Sequence, residues 1–233
     1  MNHGGCPNRE GSICSERGLR LWADGKCTRF QPIFEGVWAW KNANPVLGDI
    51  VNEVTLAVIA AARAAIPKKP IKHLINTHHH FDHSGGLRTY VAQSIPIITQ
   101  AAAKPYYEKV WMNPHTVNPD LLAKTPKRPN IQAVVDKQVL TDGNHTIELH
   151  KLSGSSHADT MLIAYLPKEK ILVEADVFTP PPMGQRPAVT AEARNLYDNI
   201  QRLRLDVNQI ASIHGRMTDI NELRIAAGVA ATN

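Results

Sequence analysis

Four histidines fall within six residues of the segment Thr77-His78-His79-His80-Phe81-Asp82-His83-Ser84-Gly85-Gly86, and this H-x-H-x-D-H run constrains the chain more than any other feature. The apolar stretch Ile71 to Thr77 leads into it and reads as a short buried strand, while Gly85-Gly86 releases the chain into a helical pattern at Leu87 to Val91. The cluster therefore belongs on a strand-to-helix loop. Neutral imidazoles and a carboxylate are favoured ligands for zinc and similar divalent ions. Alternate residues at a strand end project to one side and the loop turns Asp82 and His83 to the other, so one motif can serve two metal ions. The competing readings are a solvent-exposed histidine-rich loop or an affinity tag, but a tag is a terminal homopolymer and this run is internal, with an aspartate and a double-glycine exit.

His78, His80, Asp82 and His83 do not complete two metal sites, so further His and acidic residues are expected at strand ends downstream. His157 follows a strand in Ser153-Gly154-Ser155-Ser156-His157-Ala158-Asp159-Thr160, Asp176 follows the strand Ile171 to Ala175, and His214 follows the strand Gln209 to Ile213 before Gly215. Taken alone, each also reads as a surface or capping group. Three such residues after three separate strands, in a chain that already holds the cluster, read together as ligands.

The rest of the chain alternates between the two periodicities. Val51, Val54, Val58, Ile59, Ala62 and Ile66 form a helical stripe closed by Pro67. Strands are expected at Ile95 to Thr99, Gln132 to Val135, Gln138 to Leu140, Thr146 to Leu152 and Thr160 to Leu166, and helices at Ala101 to Val110, Thr190 to Asp206 and Asp219 to Ala227. The stretch Asn113 to Asn130 is a Pro-rich loop with one turn at Asp120 to Ala123. Residues 1–48 look different, rich in Gly, Cys, Arg and Trp, with one expected strand at Phe34 to Trp40.

On these motifs the chain, from about Asp49 to Gly228, resembles the metallo-β-lactamase-fold hydrolase superfamily. The resemblance implies an α/β (α+β) fold, the four-layer αβ/βα sandwich of that family, over residues 49–233, preceded by an atypical N-terminal segment over residues 1–48. It implies that His78, His80 and His157 hold a first zinc and that Asp82, His83 and His214 hold a second, two zinc ions per chain. Asp176 resembles the carboxylate that bridges the metals in the glyoxalase and lactonase branches, although some metallo-β-lactamases carry an Ala-Asp pair nearby without a bridge. His79 falls on the x position, exposed or supporting a ligand, and Asp159 and Thr160 orient the loop that carries His157. The implied activity is a dinuclear zinc hydrolase acting on a lactam, lactone, thioester or ester centre, with Asp82 orienting the attacking hydroxide. Position 80 is His where the diiron flavoprotein branch has Glu, which favours zinc. Two alternatives stay open: a mononuclear iron persulfide dioxygenase, whose branch shares the H-x-H-x-D-H run, and a metal-binding remnant impaired in catalysis.

Composition narrows the partners. The apolar fraction of 43% and charged fraction of 20% suit an ordinary globular chain, and the longest apolar stretch, Val54 to Ile66, falls short of the about 20 residues a bilayer demands. No membrane partner is expected. The net charge of +5 favours anionic partners, and the short, Pro-punctuated basic blocks read as solvated loops and not as a nucleic-acid patch. The expected partner is a small anionic substrate. The three cysteines, Cys6, Cys14 and Cys27, have neither the count nor the spacing of a disulfide framework or a thiolate zinc site. The first residues lack the apolar run of a secretory signal, so the chain as written is expected in the cytoplasm, or in the periplasm if its true N-terminus differs.

Overall fold

The structure is a computed structural model that describes residues 49–117 and 119–229, together with the strands at 13–15, 19–23, 26–34 and 37–41; side chains are described from Thr55 onward. Expectations about Cys6, Cys14 and Cys27 fall outside the described side chains. The chain divides into two compact units, one of residues 1–74, 80–97 and 111–130, the other of residues 75–79, 98–110 and 131–233.

The first unit opens with β1 (Ile13–Ser15), β2 (Leu19–Ala23), β3 (Lys26–Phe34) and β4 (Val37–Lys41), an antiparallel meander in that order. This corrects the expectation of a single strand before residue 49. Arg20, Lys26, Arg29 and Pro32 break the apolar alternation by which strands are read, and the register shift between Pro32 and Phe34 lies where a proline is tolerated in a sheet. The helix α1 (Asp49–Ala65) follows as its stripe predicts. After β5 (Leu74–Ile75) come two short helices, α2 (Phe81–Ser84) and α3 (Leu87–Ala92). Gly86 lies between them against α1, where an added Cβ would sit 2.2 Å from Thr55 Oγ1.

The second unit takes the chain through β6 (Ile97–Gln100), a 3-10 turn at Ala101–Ala103 and α4 (Lys104–Val110). The short α5 (Leu121–Lys124), capped by Asp120, belongs to the first unit. Next are β7 (Ile131–Val134), β8 (Lys137–Thr141), β9 (Thr146–Lys151), β10 (Leu162–Leu166) and β11 (Ile171–Glu174). The chain ends in α6 (Ala191–Leu203), β12 (Gln209–Ser212), β13 (Met217–Asp219) and α7 (Ile220–Ala226).

Strands β13-β12-β11-β10-β9-β8 form one six-stranded sheet. On one face, Ile163, Tyr165 and Ile210 pack with Ala193, Leu196 and Ile200 of α6 and Leu223 and Ala226 of α7. On the other, Leu149 and Leu162 pack with Ile98 of β6 and Val134 of β7. Strand period two explains both cores: residues such as Leu162 and Ile163 alternate, each burying a side chain on its own face. Most pairs are antiparallel, but β11 and β12 are parallel, in register Glu174↔Ser212, because α6 carries the chain back across the sheet.

Candidate metal centre

That parallel pair places two of the expected ligands. Asp176 lies two residues past Glu174 and His214 two residues past Ser212, so registered strands deliver both to the same sheet edge. The loop joining β9 to β10 carries His157 to that edge too, because β10 runs antiparallel to β11. The segment after β5 joins them through the hydrogen bond from Leu162 N–H to the Thr77 carbonyl, 2.8 Å, one residue before His78.

At this edge three imidazoles converge on one carboxylate. His78 Nε2 is 3.2 Å and His157 Nε2 3.1 Å from Asp176 Oδ2, and His214 Nε2 is 3.1 Å from Asp176 Oδ1. The two nitrogens His78 Nε2 and His157 Nε2 are 3.2 Å apart, and the ligand atoms of His78, His157 and Asp176 all lie within 4.8 Å of one another. Ligands at zinc–nitrogen distances of about 2.05 Å in a tetrahedron stand about 3.3 Å apart, so these separations suit donors around a metal ion. The donor set of imidazole and carboxylate fits zinc or iron.

His78 is fully buried and its ring is fixed from behind, with Nδ1 3.2 Å from Thr77 Oγ1. Such a contact selects which ring nitrogen faces inward. The His78 carbonyl accepts from Asn76 Nδ2 at 2.8 Å and lies 3.2 Å from the Tyr107 hydroxyl. Asn76 Oδ1 in turn receives Thr99 Oγ1 at 3.1 Å and the Tyr107 hydroxyl at 2.7 Å. Sequence reasoning missed Asn76, Thr99 and Tyr107; their signal was a buried strand, Ile71 to Thr77, that carries an asparagine. The His157 loop is anchored at its base by Asn199 on α6, whose Oδ1 accepts Ser153 N–H at 3.0 Å and whose Nδ2 donates to Ser153 O at 2.9 Å.

Asp176 itself has φ 65°, the left-handed region that a non-glycine residue enters at a cost on the order of 1–3 kcal/mol. Beneath it Glu174 is fully buried, and burial pushes its carboxyl up to about 8 against the opposing pull of its hydrogen bonds.

The other expected ligands lie in the first unit, immediately past His79 in the chain. The carbonyl of His80 accepts the N–H groups of His83 and Ser84 at 3.0 and 2.9 Å and starts α2. Asp82 Oδ2 is 3.1 Å from His83 Nε2. His79, on the x position, points elsewhere: its Nδ1 is 3.1 Å from the buried Thr160 hydroxyl, and its ring meets that of Tyr106 edge to face at 5.9 Å. Asp159 is exposed.

A cluster of His and Asp side chains able to hold metal, at one edge of a sheet in a mixed α/β chain, defines a class of metal-dependent protein. The sequence profile of the metallo-beta-lactamase superfamily matches residues 46–211. The chain belongs to that superfamily, whose members include hydrolases and diiron oxidoreductases.

Solved structures agree on the fold. A metallo-beta-lactamase from Pontibacter korlensis shares 16% identity at a TM-score of 0.55, over 94% of this chain and 97% of its own. The DIM-1 metallo-beta-lactamase shares 17% at 0.54, over 94% and 95%. The rubredoxin oxygen:oxidoreductase of Desulfovibrio gigas shares 14% at 0.57, over 87% of this chain and 51% of its own. No curated protein sequence matches the chain. Among the described residues no helix is long and apolar enough to cross a membrane.

Proposed function

We propose that the protein is a dinuclear zinc hydrolase that acts on a small anionic substrate through a carbonyl or ester centre. The observation that carries this reading is the convergence of three imidazole Nε2 atoms on the two oxygens of Asp176. Metal held here would take His78 and His157 beside one Asp176 oxygen and His214 beside the other as its donors. By its motif position His80 is assigned to the first set, and it lies two residues beyond His78, so covalent geometry alone keeps their Cα atoms within about 7 Å. Asp82 and His83 are assigned to the second set by the same sequence motif.

Two zinc ions held there would supply a water acidic enough to attack at neutral pH and an electrophile for the substrate oxygen. The residues do the rest. Asp82, with its side chain 31% exposed, is the carboxylate open to solvent that can hold a proton of the attacking water. His78, wholly buried and braced by Thr77, keeps one ligand position fixed while a substrate exchanges with solvent. The formal +4 of two zinc ions exceeds the two negative charges of Asp82 and Asp176, which draws anions to the site.

Elemental analysis of untagged protein purified without chelator tests the reading, followed by a screen of β-lactam, lactone, thioester and phosphoester substrates. Two zinc per chain and hydrolysis of one substrate class are expected, both lost in His78→Ala combined with His157→Ala. One iron per chain with oxygen uptake on a persulfide would overturn hydrolysis, and unchanged metal content in the double variant would overturn the ligand set.

A further inference from the structure

Glu174 ends β11 with no exposed surface, an uncommon place for a carboxylate. Its Oε2 accepts the backbone N–H groups of Val177 and Phe178, each at 3.2 Å. Those two amides directly follow Asp176, so the three bonded residues enclose the left-handed turn at φ 65°. A second tie runs to the neighbouring strand. The Glu174 carbonyl accepts Ile213 N–H at 3.0 Å, one residue before His214. Opposite Glu174 in register stands Ser212, and the Glu174 Oε1 and Ser212 Oγ atoms are both buried.

A residue that only filled this space would be apolar, as the neighbouring Leu172 and Ala175 are. An apolar side chain would take from Phe178 N–H its carboxylate acceptor, leave Val177 N–H only its bond to the Ala175 carbonyl at 2.9 Å, and leave unsupported a turn unfavourable for aspartate. We infer that Glu174 is a positioning residue, whose carboxylate clamps the turn at Asp176 so that one Asp176 oxygen meets His214 and the other meets His78 and His157. This rests on the metal reading proposed above and extends it to a residue that touches none of the metal positions.

The test uses the full-length, untagged protein and zinc itself as probe. Affinity is measured by competition with a chromophoric chelator on metal-free wild type, Glu174→Ala and Glu174→Gln. Loss of an outer partner costs about 10–100-fold in metal affinity, so Glu174→Ala should bind zinc at least about 10-fold more weakly. Glutamine keeps an oxygen for both amides and turns an NH2 toward Ser212, so Glu174→Gln should stay within about 3-fold of wild type. Amide hydrogen exchange on metal-free wild type supplies a measurement independent of any variant, and slow exchange is expected at Phe178, whose N–H donates to Glu174 Oε2.

Unchanged affinity in Glu174→Ala overturns the inference, as does a Glu174→Gln as weak as Glu174→Ala, which would assign the effect to charge and not to the clamp. If neither variant folds, the exchange rate at Phe178 decides, and fast exchange there overturns the inference. A wild type that binds no zinc, with the Phe178 amide protected, would instead sink the metal reading and leave the clamp standing.

Discussion

Replacing Asp120 by alanine should lower the melting temperature by a margin that follows from what its carboxylate holds. Arg88 on α3 grips both oxygens, Nη2 donating to Oδ1 at 2.9 Å and Nε to Oδ2, with the two side chains 9% and 4% exposed. Oδ1 also accepts Ala123 N–H at 2.8 Å and caps α5. Removing one partner of a buried ion pair costs about 3–5 kcal/mol, because the other charge stays behind without compensation. The lost cap adds about 1 kcal/mol. At about 2–4 °C per kcal/mol for a chain of this size, Tm should fall by about 10–20 °C in a thermal melt followed by circular dichroism. Asp120→Asn keeps the shape and the capping oxygen and should lose less. Arg88→Met combined with Asp120→Leu removes both charges and should melt above either single variant. It should still melt below wild type, since the carbonyls of Trp111 and Asn113 lose Arg88 Nη1. A Tm within about 3 °C of wild type for Asp120→Ala, about 1 kcal/mol, would refute the reasoning and mean that water replaces the pair.

The same pair sets a pH dependence. Burial acts to raise the Asp120 carboxyl, but the Arg88 hydrogen bonds and charge and the Ala123 amide outweigh it and hold the group below its ordinary value of 3.8. A carboxyl depressed in the folded state stabilises the fold above its unfolded pKa, and that stability is lost as pH falls through the folded value. The wild-type Tm should therefore drop on acidification below about pH 4, with a smaller Asp120 contribution in Asp120→Asn.

Two further substitutions probe the supports of the candidate centre. Tyr107→Phe removes the hydroxyl 2.7 Å from Asn76 Oδ1 and 3.2 Å from the His78 carbonyl; it should cost about 1–3 kcal/mol in urea unfolding, and a loss below about 0.5 kcal/mol would place no weight on the network. Gly215→Ala adds a Cβ 2.8 Å from Pro180 Cδ, and neither backbone nor proline ring can yield cheaply; under the proposed function, zinc affinity should weaken through the adjacent His214, and chelator competition showing wild-type affinity would refute the clash.

The candidate ligands were legible because their chemistry is local. Four histidines in six residues, and a His or Asp just past each of three strands, announce themselves whatever the exact strand ends. Element types followed from periodicity for the same reason: α1, β9, the β10–β11 hairpin and α6 all lie where their apolar patterns put them. The extended segment before His78 was read as a full strand, yet its ladder narrows to Leu74–Ile75; beyond it Asn76 N–H still donates to the Ile98 carbonyl, and the Thr77 carbonyl accepts from Leu162. The strand β13 was missed, being three residues, Met-Thr-Asp, too short to show a period. Before residue 49, charged and proline residues hid β2 and β3, and β1 is only three residues long.

What holds the candidate ligands in place was not legible, and the reason is physical. Tyr107 and Asn199 act through hydrogen bonds to backbone atoms brought near by the fold: Tyr107 reaches His78 across 29 residues, and Asn199 reaches Ser153 across 46. No short window of sequence contains both ends of such a bond. Asn76 and Glu174 bond backbone only two to four residues away, yet in the apolar run Ile171 to Ala175 Glu174 reads only as an interruption. Once β11 and β12 are in register, that interruption lies opposite Ser212 and beneath Asp176, where a carboxylate has two amides to satisfy. A polar residue that breaks the pattern of a buried strand just before a ligand is thus better read as support for that ligand than as a fault in the strand.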